Sequence, residues 1–186
     1  MNSHLLVLSE IVKRFEPKKI LEFGLGDWST RLFSIFCQDT TSVEMNHHEW
    51  FTKLKNASWA SAINLLYVES TRESFRLLGD ESPMAWKLIQ YDDWYDLVFV
   101  DANWRWQIIN KMACENRTNL IVAHDTQAPC YDWHKLVLPA NWKRYDNKFG
   151  WSNAETWTSV FTTRSDCAWV EEIKFTSDMT LPWIPD

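Results

Sequence analysis

With 186 residues, 46% of them hydrophobic, the chain has the length for one domain around one sizeable core. A formal net charge of -6 disfavours a long phosphate backbone as partner, because such binding draws on a basic face. No apolar run reaches the roughly 18 to 20 residues of a membrane-spanning helix, and Met1 to Glu16 lacks the basic start and cleavage site of a secretory signal. The expectation is a soluble, cytoplasmic protein without a membrane partner. Cys37, Cys114, Cys130 and Cys167 are unevenly spaced with no Cys-x-x-Cys pair, so buried reduced thiols are expected rather than a zinc site or disulfides. The thirteen tryptophans are scattered from Trp28 to Trp183 and read mostly as packing, with a homodimer interface left open.

Leu5, Leu8, Ile11, Val12 and Phe15 recur at helical spacing, which predicts an amphipathic helix over residues 1–16, stopped near Pro17. Lys19 to Phe23 reads as a buried strand, followed by glycines and then a helix through Trp28, Leu32, Phe33 and Phe36, with Asp27 or Ser29 as its N-cap. The alternation repeats: strand Thr40 to Met45, helix His47 to Ala57, strand Ile63 to Val68, a helical stretch near Ser74 to Leu78, and strand Tyr95 to Asp101. A helix carrying Trp104, Ile108, Ile109 and Met112 follows, then strand Asn119 to Ala123, ending in His124-Asp125. The pattern changes near Leu138, where Asn141 to Phe149 and Thr156 to Thr163 form a hairpin without an intervening helix. A short element and a Pro-rich end fill residues 165–186.

This rhythm predicts one α/β domain over residues 1–186, a Rossmann-like doubly wound sheet, with βα units in 17–125 and a closing hairpin in 138–164. Ligands of such sheets bind at the carboxyl ends of the strands, here residues 24–30, 44–47, 69–71, 101–105 and 124–127.

The first of these turns reads Glu22-x-Gly24-x-Gly26-x-x-Ser29-Thr30. No Gly-Lys-Ser/Thr follows, which excludes a P-loop. Ser29 is small enough for the third place of a dinucleotide fingerprint, so the glycines alone decide nothing. Glu22 adds negative charge where a pyrophosphate would lie and suits a cationic ammonium instead, while Glu44, 18 residues after Gly26, can accept the hydroxyls of a ribose. A ribose and a cation without phosphate describe S-adenosylmethionine.

Glu22-Phe23-Gly24-Leu25-Gly26, with Glu44 in "SVEMNHHEW", resembles the first motif and ribose-binding acid of the class I S-adenosylmethionine-dependent methyltransferases. The resemblance covers Lys18 to Arg164 and implies about seven strands in the order 3-2-1-4-5-7-6, the seventh antiparallel and carried by "WTSVFTTR". It implies cofactor contacts at Glu22, Gly24, Leu25, Gly26, Ser29, Glu44, Met45, Ser70 and Asp101. "YDLVFVDANWRW" and "LIVAHDTQ" are most similar to branches that methylate hydroxyls of sugars or other small molecules.

In several such enzymes an Asp after strand four and another after strand five hold Mg2+, and Asp101 and Asp125 match those positions, though no third ligand is evident beyond Thr126. His124 offers a second route, as a base for the hydroxyl proton, giving Asp101, His124 and Asp125 as the catalytic set. Trp104 and Arg105 are candidates for holding the acceptor by stacking and charge.

Two departures stand out: the loop before strand five, Glu115 to Asn119, lacks the family's Gly-Gly turn, and the chain has little length for a lid. Asp101-Ala102-Asn103-Trp104 is also not the Asn/Asp-Pro-Pro-aromatic run of base-amino methyltransferases, which argues against nucleic acid as substrate. The alternatives are a catalytically silent module that binds the cofactor or another protein, and a nicotinamide-dependent oxidoreductase.

Overall fold

The computed structural model describes residues 4–45, 47–68, 93–151 and 154–174. Ser70, the helical stretch near 74–78 and the loop through Gly79 and Pro83 lie outside them. Helices α1 (His4–Phe15), α2 (Ser29–Phe36), α3 (His48–Lys55) and α4 (Arg105–Cys114) flank strands β1 (Lys19–Phe23), β2 (Asp39–Met45), β3 (Asn64–Val68), β4 (Leu97–Val100), β5 (Leu120–His124), β6 (Lys143–Trp151) and β7 (Ala154–Thr162).

The sheet order is 3-2-1-4-5-7-6, as the resemblance implies. Strands β3, β2, β1, β4 and β5 are parallel, and β7 runs antiparallel to both β5 and β6. β4 shows why the sheet needs helices on both sides, since all four of its side chains are fully buried. Successive strand residues point to opposite faces. Val98 and Val100 join Ile108, Ile109 and Met112 of α4, while Leu97 and Phe99 join Val7, Leu8 and Ile11 of α1 and Leu32 and Phe33 of α2.

Element ends depart from expectation at informative places. Neither Asp27 nor Ser29 caps α2: Trp28 holds the N-cap position without a side-chain hydrogen bond, and the Ser29 hydroxyl is committed elsewhere. The glycine-free loop after α4 closes through Asn116, which takes a left-handed φ of 54°. Arg117 N–H donates to Met112 O at 3.0 Å and Asn116 N–H to Ala113 O at 3.2 Å, a Schellman closure with Asn in the place of Gly. All four cysteines are free, yet only Cys37 and Cys167 are buried, so the expectation of buried thiols fails for Cys114 and Cys130. Among the described residues no helix is long and apolar enough to cross a membrane.

Candidate active site

β1 ends in a turn whose first glycine is required on two counts. Gly24 adopts φ 95°, and a Cβ there would lie 2.4 Å from the carbonyl oxygen of Asp101. The close approach follows from strand pairing carried past the strand ends, with Asp101 N–H donating to Phe23 O at 2.8 Å and Gly24 N–H to Val43 O at 2.9 Å. Gly26 N–H donates to Thr30 Oγ1 at 2.9 Å, drawing the start of α2 onto the loop.

Glu22 corrects the sequence reading. Its side chain is fully buried beneath the turn, and its carboxylate accepts hydrogen bonds from Ser29 Oγ at 2.5 Å, Thr30 Oγ1 at 2.6 Å and the Ser42 hydroxyl. Burial pushes its carboxyl up from 4.5 to about 7, and the three hydroxyls only partly offset that rise. Glu22 and Ser29 therefore anchor the loop from below and do not form the wall of the cavity above it. Only seven positions separate Glu22 from Ser29 in sequence, but Ser42 arrives through the parallel register, in which it pairs with Glu22.

That cavity, about 560 Å³, opens at the carboxyl ends of β1, β2, β4 and β5. Gly24, Leu25, Gly26, Glu44 and Met45 line one side. Glu44 is nearly buried, accepts the Met45 N–H at 2.9 Å, and has its carboxyl raised by burial. Trp50 of α3 reaches this wall and donates Nε1–H to Leu25 O at 2.6 Å, bracing the glycine loop. His47 stands beside it.

The opposite side holds Asp101, His124 and Asp125, brought together because β4 and β5 are neighbours. His124 lies between the carboxylates, with Nδ1 3.3 Å from Asp101 Oδ1 and Nε2 3.5 Å from Asp125 Oδ1. Asp125 takes a left-handed φ of 57°, which Asp tolerates better than most side chains. His4, at the first turn of α1, packs its ring edge-on to His124 with centroids 4.4 Å apart. Burial, aided by the His124 charge, pushes His4 down to about 3, so it is a neutral wall against the cluster.

Arg105 is buried in this wall. Trp104, with a left-handed φ of 71°, precedes α4, and the next side chain turns inward until Arg105 is only 3% exposed. Its Nη2 lies 2.6 Å from Asp101 Oδ1 and 3.7 Å from Asp125 Oδ2. Nε–H donates to His124 O at 2.8 Å, Nη1–H donates to Ala102 O, and the guanidinium lies 3.7 Å from the ring centroid of Tyr131. Burial alone would raise the Asp101 carboxyl, but the His124 hydrogen bond and the charges of His124 and Arg105 hold it below its ordinary value. Arg105 thus contributes to the wall while spending its donors inside the protein, and Trp104 does not line the cavity.

Asp101 and Asp125 do not fit a magnesium site. Mg2+ demands near-octahedral oxygen coordination at roughly 2.1 Å. Here the guanidinium already sits against both carboxylates and would face the dication across a few ångströms. The Asp101, His4 and His124 ligand atoms gather within 4.8 Å of one another, but Asp101 Oδ1 is the oxygen that Arg105 engages.

No family model matches the chain, and no curated protein matches its sequence. Solved structures do match its shape. An O-methyltransferase from Bacillus cereus in complex with SAH shares 13% identity and a TM-score of 0.62, over 87% of this chain and 81% of that one. A methyltransferase from Pyrococcus furiosus shares 15% identity and a TM-score of 0.50, over 86% and 82%. The M. capricolum TrmK, in complex with its cofactor product S-adenosyl-homocysteine, shares 11% identity and a TM-score of 0.51, over 84% and 67%. The chain has the methyltransferase fold. At these identities the likeness speaks to the fold, so the chemistry rests on the residues themselves.

Proposed function

We infer that the protein is an S-adenosylmethionine-dependent methyltransferase acting on a hydroxyl group of a sugar or other small molecule. The observation that carries this reading is one cavity with two unlike walls: a glycine turn with a buried Glu44 on one side, and an imidazole between two carboxylates on the other. The bound cofactor would supply an electrophilic methyl group whose sulfur keeps the electrons of the broken carbon–sulfur bond. Glu44 accepts the ribose hydroxyls, and the backbone of Gly24 to Gly26 borders the same wall. His124 takes the proton as the acceptor oxygen bonds to the methyl carbon, and Asp101 and Asp125 stabilise the imidazolium that results. TrmK and the Bacillus cereus O-methyltransferase support S-adenosyl ligands in this fold through the complexes that their descriptions name.

Calorimetry with S-adenosylhomocysteine and, separately, NADH tests the cofactor. We expect micromolar-range binding of the first alone, and a loss of about 1–3 kcal/mol in Glu44→Ala, whose ribose partners lose their acceptor. Tighter binding of NADH would sink the reading. A screen of hydroxylated acceptors tests turnover, with His124→Gln expected to lower kcat by roughly 10²–10⁴ while sparing cofactor affinity. Cofactor binding with no turnover on any acceptor would leave the silent binding module as the surviving account.

A further inference from the structure

Resting on that reading of the site, we propose that the Arg105 guanidinium is a built-in cation at the Asp101–Asp125 pair, so that the protein performs its transfer without a divalent metal. The geometry is that of a fixed bridge. One nitrogen, Nη2, addresses both carboxylates, at 2.6 Å and 3.7 Å. The other nitrogens are tied to backbone carbonyls on two different strand ends, Nε–H to His124 O and Nη1–H to Ala102 O. The guanidinium is also packed against the Tyr131 ring. Held on these sides and 3% exposed, it cannot swing out of the way as a surface arginine would.

Charge accounting leads to the same place. An arginine side chain does not lose its proton in a protein, so one positive charge is permanently present between the carboxylates. A dication bound to the same oxygens would add strong repulsion at short range in a medium far less screening than water. The group that would remain to take the acceptor proton is His124, whose two ring nitrogens lie 3.3 Å and 3.5 Å from the two carboxylates. Arg105 on this account is a positioning residue. It sets the spacing of Asp101 and Asp125 around the imidazole and leaves no vacancy for a metal.

The test reads metal binding directly, using Mn2+ followed by the EPR signal of the free ion. The parent should leave the Mn2+ signal undiminished, and Mn2+ or Mg2+ should leave its melting temperature unchanged. Arg105→Met keeps an unbranched stem and removes the charge, and should gain at least roughly tenfold in Mn2+ affinity, the effect of deleting one unit charge a few ångströms away. Asp125→Asn added to Arg105→Met should abolish the gain. Should Arg105→Met not fold, the parent decides: stoichiometric Mn2+ binding that Asp125→Asn removes would overturn the proposal. So would loss of turnover in EDTA that added Mg2+ restores. S-adenosylhomocysteine calorimetry on the unsubstituted protein separates this failure from failure of the functional reading, which requires cofactor-product binding whether or not a metal binds.

Discussion

Two carboxylates at neighbouring strand ends meet burial by opposite means. Glu22, near the end of β1 beneath the glycine turn, is surrounded by the hydroxyls of Ser29, Thr30 and Ser42 and, among the described residues, forms no ion pair. Asp101, just past β4, has Arg105 at 2.6 Å and His124 at 3.3 Å. The consequences follow from the surroundings: the Glu22 carboxyl is pushed up to about 7, whereas that of Asp101 is held below its ordinary value. Hydroxyls satisfy lone pairs but carry no net charge, so they hold a carboxyl group in place without keeping it ionised. One carboxylate is therefore architecture, and the other keeps a charge facing the cavity.

Removing the Glu22 side chain is the harshest way to break this contrast. Glu22→Ala leaves three inward hydroxyls without their acceptor and a hole under the loop. We expect a loss of roughly 3–5 kcal/mol of stability, read as a fall of about 10 °C in Tm. A variant that melts with the parent would mean that the hydroxyl cluster holds nothing in place.

Glu22→Gln sharpens the contrast through pH. The folded carboxyl, raised to about 7, holds a proton that the unfolded chain releases near 4.5. Between those values the native state binds more protons, so the group's contribution to stability falls as pH rises and is lost above about 7, a change on the order of 3 kcal/mol. His4 acts in the opposite sense, because its folded value of about 3 means that stability is lost as pH falls below 6.5. The difference between parent and Glu22→Gln isolates the carboxyl from His4 and from the nearby Asp101 charge. Urea midpoints should diverge in favour of the variant as pH increases from 4.5 to 7; parallel profiles would refute the raised value.

How much of this was readable from the residues differs between the two places. The sheet was, because strands buried on both faces must be apolar throughout, as Leu97-Val98-Phe99-Val100 is, and because the hairpin lacks a helix between its strands. The glycine-turn side of the cavity was readable at Gly24, Gly26 and Glu44, which follow local rules of turn and strand end. Glu22 was misplaced because a carboxylate buried without a cation is uncommon; the signal was Ser42, which parallel pairing sets opposite it. The burial of Arg105 carried no local signal, since arginine at a helix start is usually solvated. Only the adjacency of β4 and β5 brings Asp101 and Asp125 to it from 24 residues apart. His4, Trp50 and Tyr131 carried no local mark, as each reaches the site from a different element.

Gly24→Ala tests the point where the two regions touch. The new methyl would meet the Asp101 carbonyl oxygen at 2.4 Å, in a left-handed conformation that alanine disfavours. A cost of about 2–3 kcal/mol in stability is expected, with weakened S-adenosylhomocysteine binding as the loop and Asp101 are forced apart. Unchanged melting and affinity would show that the turn has more room than its geometry allows.

The smallest effect expected is at Trp50. Its Nε1–H is the side-chain support of the loop from the α3 side, donated to Leu25 O at 2.6 Å. Trp50→Phe keeps an aromatic ring and deletes the donor, so the change should cost about 1 kcal/mol, near a fivefold loss of S-adenosylhomocysteine affinity. The direction matters more than the size, because Glu22 and Trp50 support the same loop from opposite sides. If the loop is a rigid unit anchored from below, Trp50→Phe should lower affinity without altering the pH profile that Glu22 governs. If that profile also shifts, the turn is held jointly from both sides, and the division between buried architecture and cavity wall is less sharp than the hydrogen bonds imply.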